Sequence, residues 1–378
     1  MQKTLIALAT LALSGTALAQ SSVTIYGAVD NSFTRVTNKG GASASGLSSG
    51  GGGSIGSKLG FKGDEDLGGG LKASFKLEMG LETSSGANGV PGSSNNSTIV
   101  APGGALRFDR AAYVALSGGF GEVRLGRDLV ASFINDVIYD PFLTYGVGSS
   151  LNFPLGVVAD AKSAASLFRV SNAISYFTPN FGGLTAQIQF APSEQASNTG
   201  LAKRDGRVTT GRVAYDKGPL SASVSAGKAD QSSGVIGQDI TTANAGASFD
   251  FGVVKVMGEF ARFKVDNFTG VSGVDLTTNI VTLGAIAPVG PGKVKLGVSR
   301  AERKTSGVTA KPETTKIAVG YDYSLSKRTS LFTTVAYVRN KDGSAVSASQ
   351  GGVAGFGGAA AVANQRSVGY DVGVLHSF

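Results

Sequence analysis

Residues 71–79 alternate without a break. Leu71, Ala73, Phe75, Leu77 and Met79 fall on one face, and Lys72, Ser74, Lys76 and Glu78 on the other. Successive side chains of a strand point to opposite sides, so this segment reads as a strand with one apolar and one charged face. The pattern recurs along the chain. Leu220, Ala222, Val224 and Ala226 oppose Ser221, Ser223 and Ser225, and Val294, Leu296 and Val298 oppose Lys293, Lys295 and Ser299. Ile317, Val319, Tyr321 and Tyr323 oppose Lys316 and Asp322. The last thirteen residues repeat it, with Val368, Tyr370, Val372, Val374, His376 and Phe378 on one face and Ser367, Gly369 and Asp371 on the other. About 9–11 such residues cross a bilayer as a tilted strand.

Sixteen strand candidates can be placed, the first at about 23–33 and the second near 55–63. Their connections alternate in kind. Seven are short and carry the Gly, Asn, Asp and Pro of tight turns, as in Asp216-Lys-Gly-Pro219 and Pro288-Val-Gly-Pro-Gly-Lys293. Eight are long and rich in Gly, Ser, Ala and Asn: roughly 34–54, 84–105, 129–168, 192–206, 229–240, 265–275, 302–313 and 340–365. Short turns at one end and long loops at the other is the layout of an outer-membrane barrel. An even strand number lets the first and last strands pair antiparallel and removes both sheet edges. A secreted solenoid or sandwich explains neither this asymmetry nor the Lys and Arg opposite the apolar faces. The fold expected is all-β: a 16-stranded antiparallel transmembrane β-barrel.

Composition agrees. Met1–Ala19 has Lys3, an apolar stretch from Leu5 to Leu13 and Ala17-Leu18-Ala19, which reads as a cleaved signal peptide. Residues 20–378 would form the barrel, with a formal charge of +7 once Lys3 is removed, 33 basic against 26 acidic. There is no Cys, so an exported chain of this size needs another source of order, which barrel closure supplies. A lumen bounded by about sixteen strands is too wide for side chains to fill and stays aqueous. The expected function is therefore passive diffusion.

Enzyme chemistry lacks parts. The one His, His376, lies on the apolar face near the chain end with no acid close in sequence. Zinc sites need Cys or several His. No metal and no cofactor is expected, and no nucleic-acid motif spacing is present. Gly50–Gly53 and Gly68–Gly70 open no helix and match no phosphate-binding loop.

Several segments resemble the general porins of β-proteobacteria, including the neisserial type. They are Ser22-Val-Thr-Ile-Tyr-Gly-Ala-Val-Asp30, Ser57-Lys-Leu-Gly-Phe-Lys-Gly-Asp-Glu-Asp-Leu-Gly-Gly-Gly-Leu-Lys-Ala73, Phe120-Gly-Glu-Val-Arg-Leu-Gly-Arg-Asp128, Ile174-Ser-Tyr-Phe-Thr-Pro-Asn-Phe-Gly-Gly183, Leu325-Ser-Lys-Arg-Thr329 and His376-Ser-Phe378. The resemblance spans the chain from residue 22 to its end. It implies a homotrimer in the outer membrane, among its lipid and lipopolysaccharide, passing small ions and hydrophilic solutes. It also implies that Phe378 is part of the signal read by the barrel-assembly machinery.

The resemblance further implies that the third long loop, 129–168, folds into the lumen and narrows it. That loop is the longest and contains Asp136 and Asp140 among Phe133, Tyr139, Phe142 and Tyr145. Anion-selective members carry basic residues on the facing wall, which match Lys58, Arg110 and Arg169 here. The inward placement of Arg110 rests on the resemblance, since its strand does not assign a face. Lys62, Lys76 and Arg124 share the lumenal parity away from the narrowest point. Fixed cations in a narrow ring concentrate anions and repel cations, less so as salt rises. The constriction expected is therefore Lys58, Arg110 and Arg169 opposite Asp136 and Asp140. The other reading is a structural or adhesive outer-membrane barrel with incidental permeability.

Overall fold

The structure, a computed structural model, describes residues 22–49, 53–88, 108–150, 168–193, 203–231, 237–348 and 360–378. The expected signal peptide, 1–19, lies outside them. The strands are β1 (Ser22–Asn38), β2 (Ser43–Ser48), β3 (Lys58–Gly68), β4 (Leu71–Glu82), β5 (Ala87–Asn88), β6 (Ala111–Gly118), β7 (Gly121–Leu129), β8 (Arg169–Phe177) and β9 (Leu184–Ala191). They continue as β10 (Val208–Lys217), β11 (Leu220–Ala229), β12 (Ile240–Asp250), β13 (Lys255–Val265), β14 (Leu276–Val289), β15 (Gly292–Thr305), β16 (Glu313–Ser324), β17 (Thr329–Lys341) and β18 (Arg366–Ser377). The helix α1 (Ala131–Ile138) follows β7.

Apart from β2/β3 and β5/β6, strands adjacent in sequence pair antiparallel, and β18 returns to β1 with Ala28 opposite Ser377 through Asn38 opposite Ser367. The sheet closes into a barrel of sixteen staves: β2 and β3 share one stave beside β1, and β5 is a two-residue pair on the end of β4. Closure leaves no open edge, as a sheet in hydrocarbon requires. Alternation sets the two faces. On β17, Leu331, Val335 and Tyr337 are exposed while Phe332, Thr334, Ala336 and Val338 are buried. The exposed face carries the large apolar residues throughout, which suits contact with lipid.

The seven short turns fall where the sequence placed them. In Lys217–Leu220, Gly218 takes a φ of 57°, which a two-residue hairpin demands and which an L side chain resists. The terminal strand keeps its expected parity, with Val368, Tyr370, Val372, Val374 and Phe378 outward. The Phe378 ring lies over Gly27, where a Cβ would stand 2.5 Å from the ring.

The first connection differs from expectation. Residues 34–38 and 43–48 are strand: β1 runs on to Asn38, a tight turn follows, and β2 pairs back along β1 with Thr37 opposite Ser43. The small polar run Ser43-Ala-Ser-Gly-Leu-Ser48 hides its alternation because its inward residues contribute no contrast. β1 is also split between partners. Its first seven residues pair with β3, and β18 meets it from Ala28 onward. Barrel closure staggers neighbouring strands, so the first and last strands meet out of step.

Between β2 and β3 the stave leaves the wall and turns around Asp30. The Asp30 Oδ2 accepts the backbone N–H groups of Ser54, Ile55 and Gly56 at 2.7, 2.7 and 3.2 Å. The Ser57 hydroxyl accepts the Asp30 N–H and donates to its carbonyl, both at 2.8 Å, filling the gap in the ladder. Asp30 is fully buried. Three amides on one carboxylate make the insertion a fixed feature. Asp30→Ala strands those donors, so it should cost about 3 kcal/mol or more. A drop in the heat-unfolding temperature of the purified barrel is the measurement, and an unchanged temperature would refute this role.

Candidate functional site

The third long loop begins by folding α1. Its sequence, Ala-Ser-Phe-Ile-Asn-Asp-Val-Ile, holds three β-branched residues and no side-chain cap, so propensity alone would not form it. Tertiary packing does. Asn135 is fully buried: its Nδ2 donates to Asn244 Oδ1 at 2.9 Å, and its Oδ1 accepts from Arg212 and Ser223, each at 2.6 Å. Phe133 packs edge-to-face on Phe168 with centroids 4.9 Å apart. The Tyr139 hydroxyl bonds Ser223 Oγ at 2.9 Å.

From α1 the loop runs along the inner face of the wall, and inward-facing glycines admit it. A Cβ on Gly246 of β12 would overlap the Tyr139 ring. One on Gly284 of β14 would lie 2.6 Å from Pro141, and one on Gly320 of β16 would lie 2.9 Å from Phe142. One on Gly369 of β18 would lie 3.0 Å from Val147. Cβ atoms do not approach this closely, so glycine at these positions is a condition of the loop's seat. Val147 N–H donates to Asp371 Oδ2 at 3.1 Å, and Lys316 Nζ donates to the Ser149 carbonyl at 2.5 Å.

On the facing wall, β3, β4, β6 and β8 bring Lys58, Arg110 and Arg169 together with Glu78. Arg110 Nε pairs with Glu78 Oε1 at 2.7 Å, and its Nη2 donates to the Tyr145 hydroxyl at 3.3 Å. Arg169 Nε donates to the Arg110 carbonyl at 3.0 Å. Lys58 interacts electrostatically with Arg110, Glu78 and Tyr145. The other Glu78 oxygen accepts Tyr26 at 2.8 Å and lies 3.4 Å from Lys76. Arg127 joins from β7, donating to the Asp109 carbonyl at 2.5 Å and Ser171 Oγ at 2.6 Å. Among the described residues, the cations Lys58, Lys76, Arg110, Arg127 and Arg169 thus outnumber the carboxylates of the same patch, Glu78, Asp109 and, beside Asp109, Glu82. Tyr145 registers that excess: burial opposes ionisation of its phenol, yet Arg110, Arg169 and Lys58 outweigh burial and hold it below the ordinary value.

Asp136 and Asp140 lie elsewhere. Asp140 is buried and turns back on its own loop. It accepts the Phe142 N–H at 2.8 Å and both the N–H and hydroxyl of Ser150 at 2.9 Å. Asp136 meets β12 and β13, where Asn244 Nδ2 donates to it at 3.1 Å and the Glu259 carboxyl lies within hydrogen-bonding reach. Among the described residues, Tyr145 is the loop group that touches the basic cluster. Glu78 stood on the lumenal parity of the cleanest strand and could have been singled out. Arg127 could not: simple alternation from Arg124 and Asp128 sends it outward. A register shift at Gly126/Asp128 and the left-handed Asn172, φ 55°, break that alternation.

Burial pushes the Asp136 carboxyl up to about 7; the contacts with Glu259 and Asn244 oppose the rise, and the Asp140 charge adds to it. Between its unfolded value near 3.9 and 7, the folded state binds a proton that the unfolded state lacks, so this group's stabilisation is complete at low pH and lost as pH rises to about 7. The slope is at most about 1.4 kcal/mol per pH unit. Asp136→Asn should therefore raise the unfolding temperature at pH 8 and leave it near wild type at pH 4. Equal shifts at both pH values would rule out protonation of Asp136 in the folded state.

Of the other lumenal cations, Arg124 lies over Tyr113 and Phe177, 4.7 and 4.2 Å from their centroids, and pairs with Glu122 and Asp128. Lys62 lies 5.5 Å from the Tyr26 ring; Lys76, expected away from the narrowest point, lies 6.0 Å from that ring and joins the basic patch through Glu78. His376 is exposed and bonds Thr329 at 2.9 Å through Nδ1.

A sequence profile described as Gram-negative porin matches residues 4–343. Outer membrane porin protein 32 of Delftia acidovorans is 41% identical over the whole of both chains. A major outer membrane protein P.IB of Neisseria meningitidis serogroup B is 32% identical over 52% of this chain and 51% of its own. Among solved structures, an anion-selective porin from Comamonas acidovorans superimposes with a TM-score of 0.78 at 36% identity, covering 95% of this chain and 100% of the other.

Proposed function

Since this chain belongs to the Gram-negative porin family and is an outer-membrane channel, we propose that it passes small hydrophilic solutes with a preference for anions, selected at a basic constriction. Lys58, Arg110 and Arg169 form the basic wall, with Lys76 and Arg127 beside them. The observation that carries this reading is the excess of cations on the wall where Tyr145 of the loop bonds Arg110. Anions entering there exchange part of their hydration for guanidinium and ammonium donors, while cations meet repulsion. Glu78 keeps Arg110 extended and moderates the field.

Asp136 and Asp140 act at the constriction by fixing the loop: Asp140 holds its turn and Asp136 ties α1 to β12 and β13. The likeness to the anion-selective porin from Comamonas acidovorans supports the same preference. Reversal potentials of the purified protein across a KCl gradient in a planar bilayer test it. Chloride should be favoured; a cation preference overturns the basic-wall assignment, and absence of stepwise openings would return the chain to an adhesive role.

The family supports a homotrimer with three separate channels, in contact with outer-membrane lipid and lipopolysaccharide. We also assign Phe378 to the signal read by the barrel-assembly machinery, on its exposed ring at the end of β18. Deleting Phe378 should lower the yield of folded barrel in cells without changing refolding in detergent; a normal cellular yield would exclude that role.

A further inference from the structure

We propose that Asp30 is a positioning residue for the constriction: it clamps the end of the first long loop, residues 53–57, and through that segment sets Lys58 on one side and Tyr145 of the third loop on the other. The proposal rests on the anion preference put forward above and adds to it a residue that stands outside the basic wall.

Asp30 faces inward from β1 and is fully buried. A carboxylate so placed costs desolvation unless its oxygens are engaged. Its Oδ2 is engaged, by the amides of Ser54, Ile55 and Gly56. Its Oδ1 has no hydrogen-bond partner among the described residues and lies against Gly53, where a Cβ would overlap it. Gly53 takes a φ of 76°, so the bend and the close approach both call for glycine. The Asp30 carbonyl accepts the hydroxyls of Ser57 and Thr83 at 2.8 and 3.3 Å. One residue thus holds the segment from Gly53 to Ser57.

Both ends of that segment lead to the constriction. Ser57 is followed by Lys58, where β3 rejoins the wall opposite Ala28, and the Ser57 carbonyl accepts the Leu81 N–H at 3.0 Å. At the other end the Gly53 carbonyl faces Gly146 of the third loop. A Cβ on Gly146 would lie 2.5 Å from that carbonyl oxygen and 2.8 Å from Asp371 Oδ2. Gly146 follows Tyr145, whose hydroxyl accepts from Arg110. Lys58 and Tyr145 also interact electrostatically with each other. The clamped segment therefore spans from a cation of the wall to the loop residue that meets the cluster.

Charge and position predict opposite results for Asp30→Asn. The side chain keeps its size, but the three amides face a neutral group, and charge-assisted bonds are roughly twice as strong as neutral ones. Removing a carboxylate beside the lumen would, by charge alone, raise the preference for anions. Loosening the segment would let Lys58 and Tyr145 drift and lower it. The sign of the change decides between them.

The test is the reversal potential in planar bilayers near 0.1 M KCl for the unaltered protein, Asp30→Asn, Gly53→Ala, Lys58→Gln and Asp30→Asn/Lys58→Gln. Asp30→Asn should lower the chloride-over-potassium permeability ratio about twofold or more, against the sign of the charge it removes. Gly53→Ala, which alters no charge and drives a methyl group into the Asp30 carboxylate, should lower it as well. In the Lys58→Gln background Asp30→Asn should change the ratio by a smaller factor, because residues acting through one another are non-additive.

An unchanged or raised ratio in Asp30→Asn overturns the proposal. So does an equal factor in both backgrounds, which would mark a general loosening of the barrel. If Asp30→Asn does not fold, Gly53→Ala decides alone, and an unchanged ratio there is the refuting result. A cation preference in the unaltered protein overturns the basic-wall reading instead; non-additivity of Asp30→Asn and Lys58→Gln still decides this one.

Discussion

Replacing Arg110 and Arg169 together by Gln should reduce the chloride-over-potassium permeability ratio on the order of tenfold in 0.1 M KCl, and far less in 1 M. A unit charge about 5 Å from a permeating ion contributes roughly 1 kcal/mol in water and more in a partly desolvated ring. Two such charges shift anion partitioning by at least about 2 kcal/mol, and screening by Glu78 and the solution reduces that. The Debye length falls from about 10 Å to about 3 Å over this range of salt, so the effect should shrink accordingly. The loss is compounded because Glu78, freed from Arg110, leaves its charge facing the path. Glu78→Gln alone should move the ratio the other way, toward stronger chloride preference. Reversal potentials measured for both variants at two salt concentrations check the sign twice. If neither variant changes selectivity, the narrowest point lies elsewhere.

Gly246→Val should lower single-channel conductance and destabilise the barrel by about 1–3 kcal/mol through overpacking. Gly246 does not have a positive φ, so the backbone tolerates a side chain and the cost is purely one of space. That space is filled by Tyr139, which is fully buried and held through its hydroxyl by Ser223. The wall behind Gly246 cannot retreat because its ladder continues into β11 and β13. The ring must therefore move toward the axis and take α1 with it. Tyr139→Ala in the same background should recover part of the lost conductance, since it removes the colliding group. A Gly246→Val channel of normal conductance would mean that the loop seat is not set by this contact.

The barrel was legible because its determinants are local and repeated. Leu71–Met79 shows its two faces in nine residues, and turns such as Lys217–Leu220 announce themselves through glycine and proline. Legibility failed where alternation carries no contrast or is interrupted. The Ser43–Ser48 strand is small on both faces, and the Gly126/Asp128 shift re-aims Arg127. Lys58, Arg110 and Arg169, picked by motif, lie around Glu78, while Asp140 bonds within its loop and Asp136 bonds β12. A loop offers no period from which to read direction.

Sequence alone determined that this chain crosses an outer membrane as a closed sheet with charged residues inside, because hydrocarbon admits one kind of strand face and an aqueous lumen the other. Only the tertiary structure decided where the third loop rests. Gly246, Gly284, Gly320 and Gly369 lie far apart in sequence and look like weak strand residues there, yet together they form the seat that Tyr139, Pro141, Phe142 and Val147 occupy. Close approach between backbone and side chain is a property of surfaces brought together by closure, and no single segment encodes it.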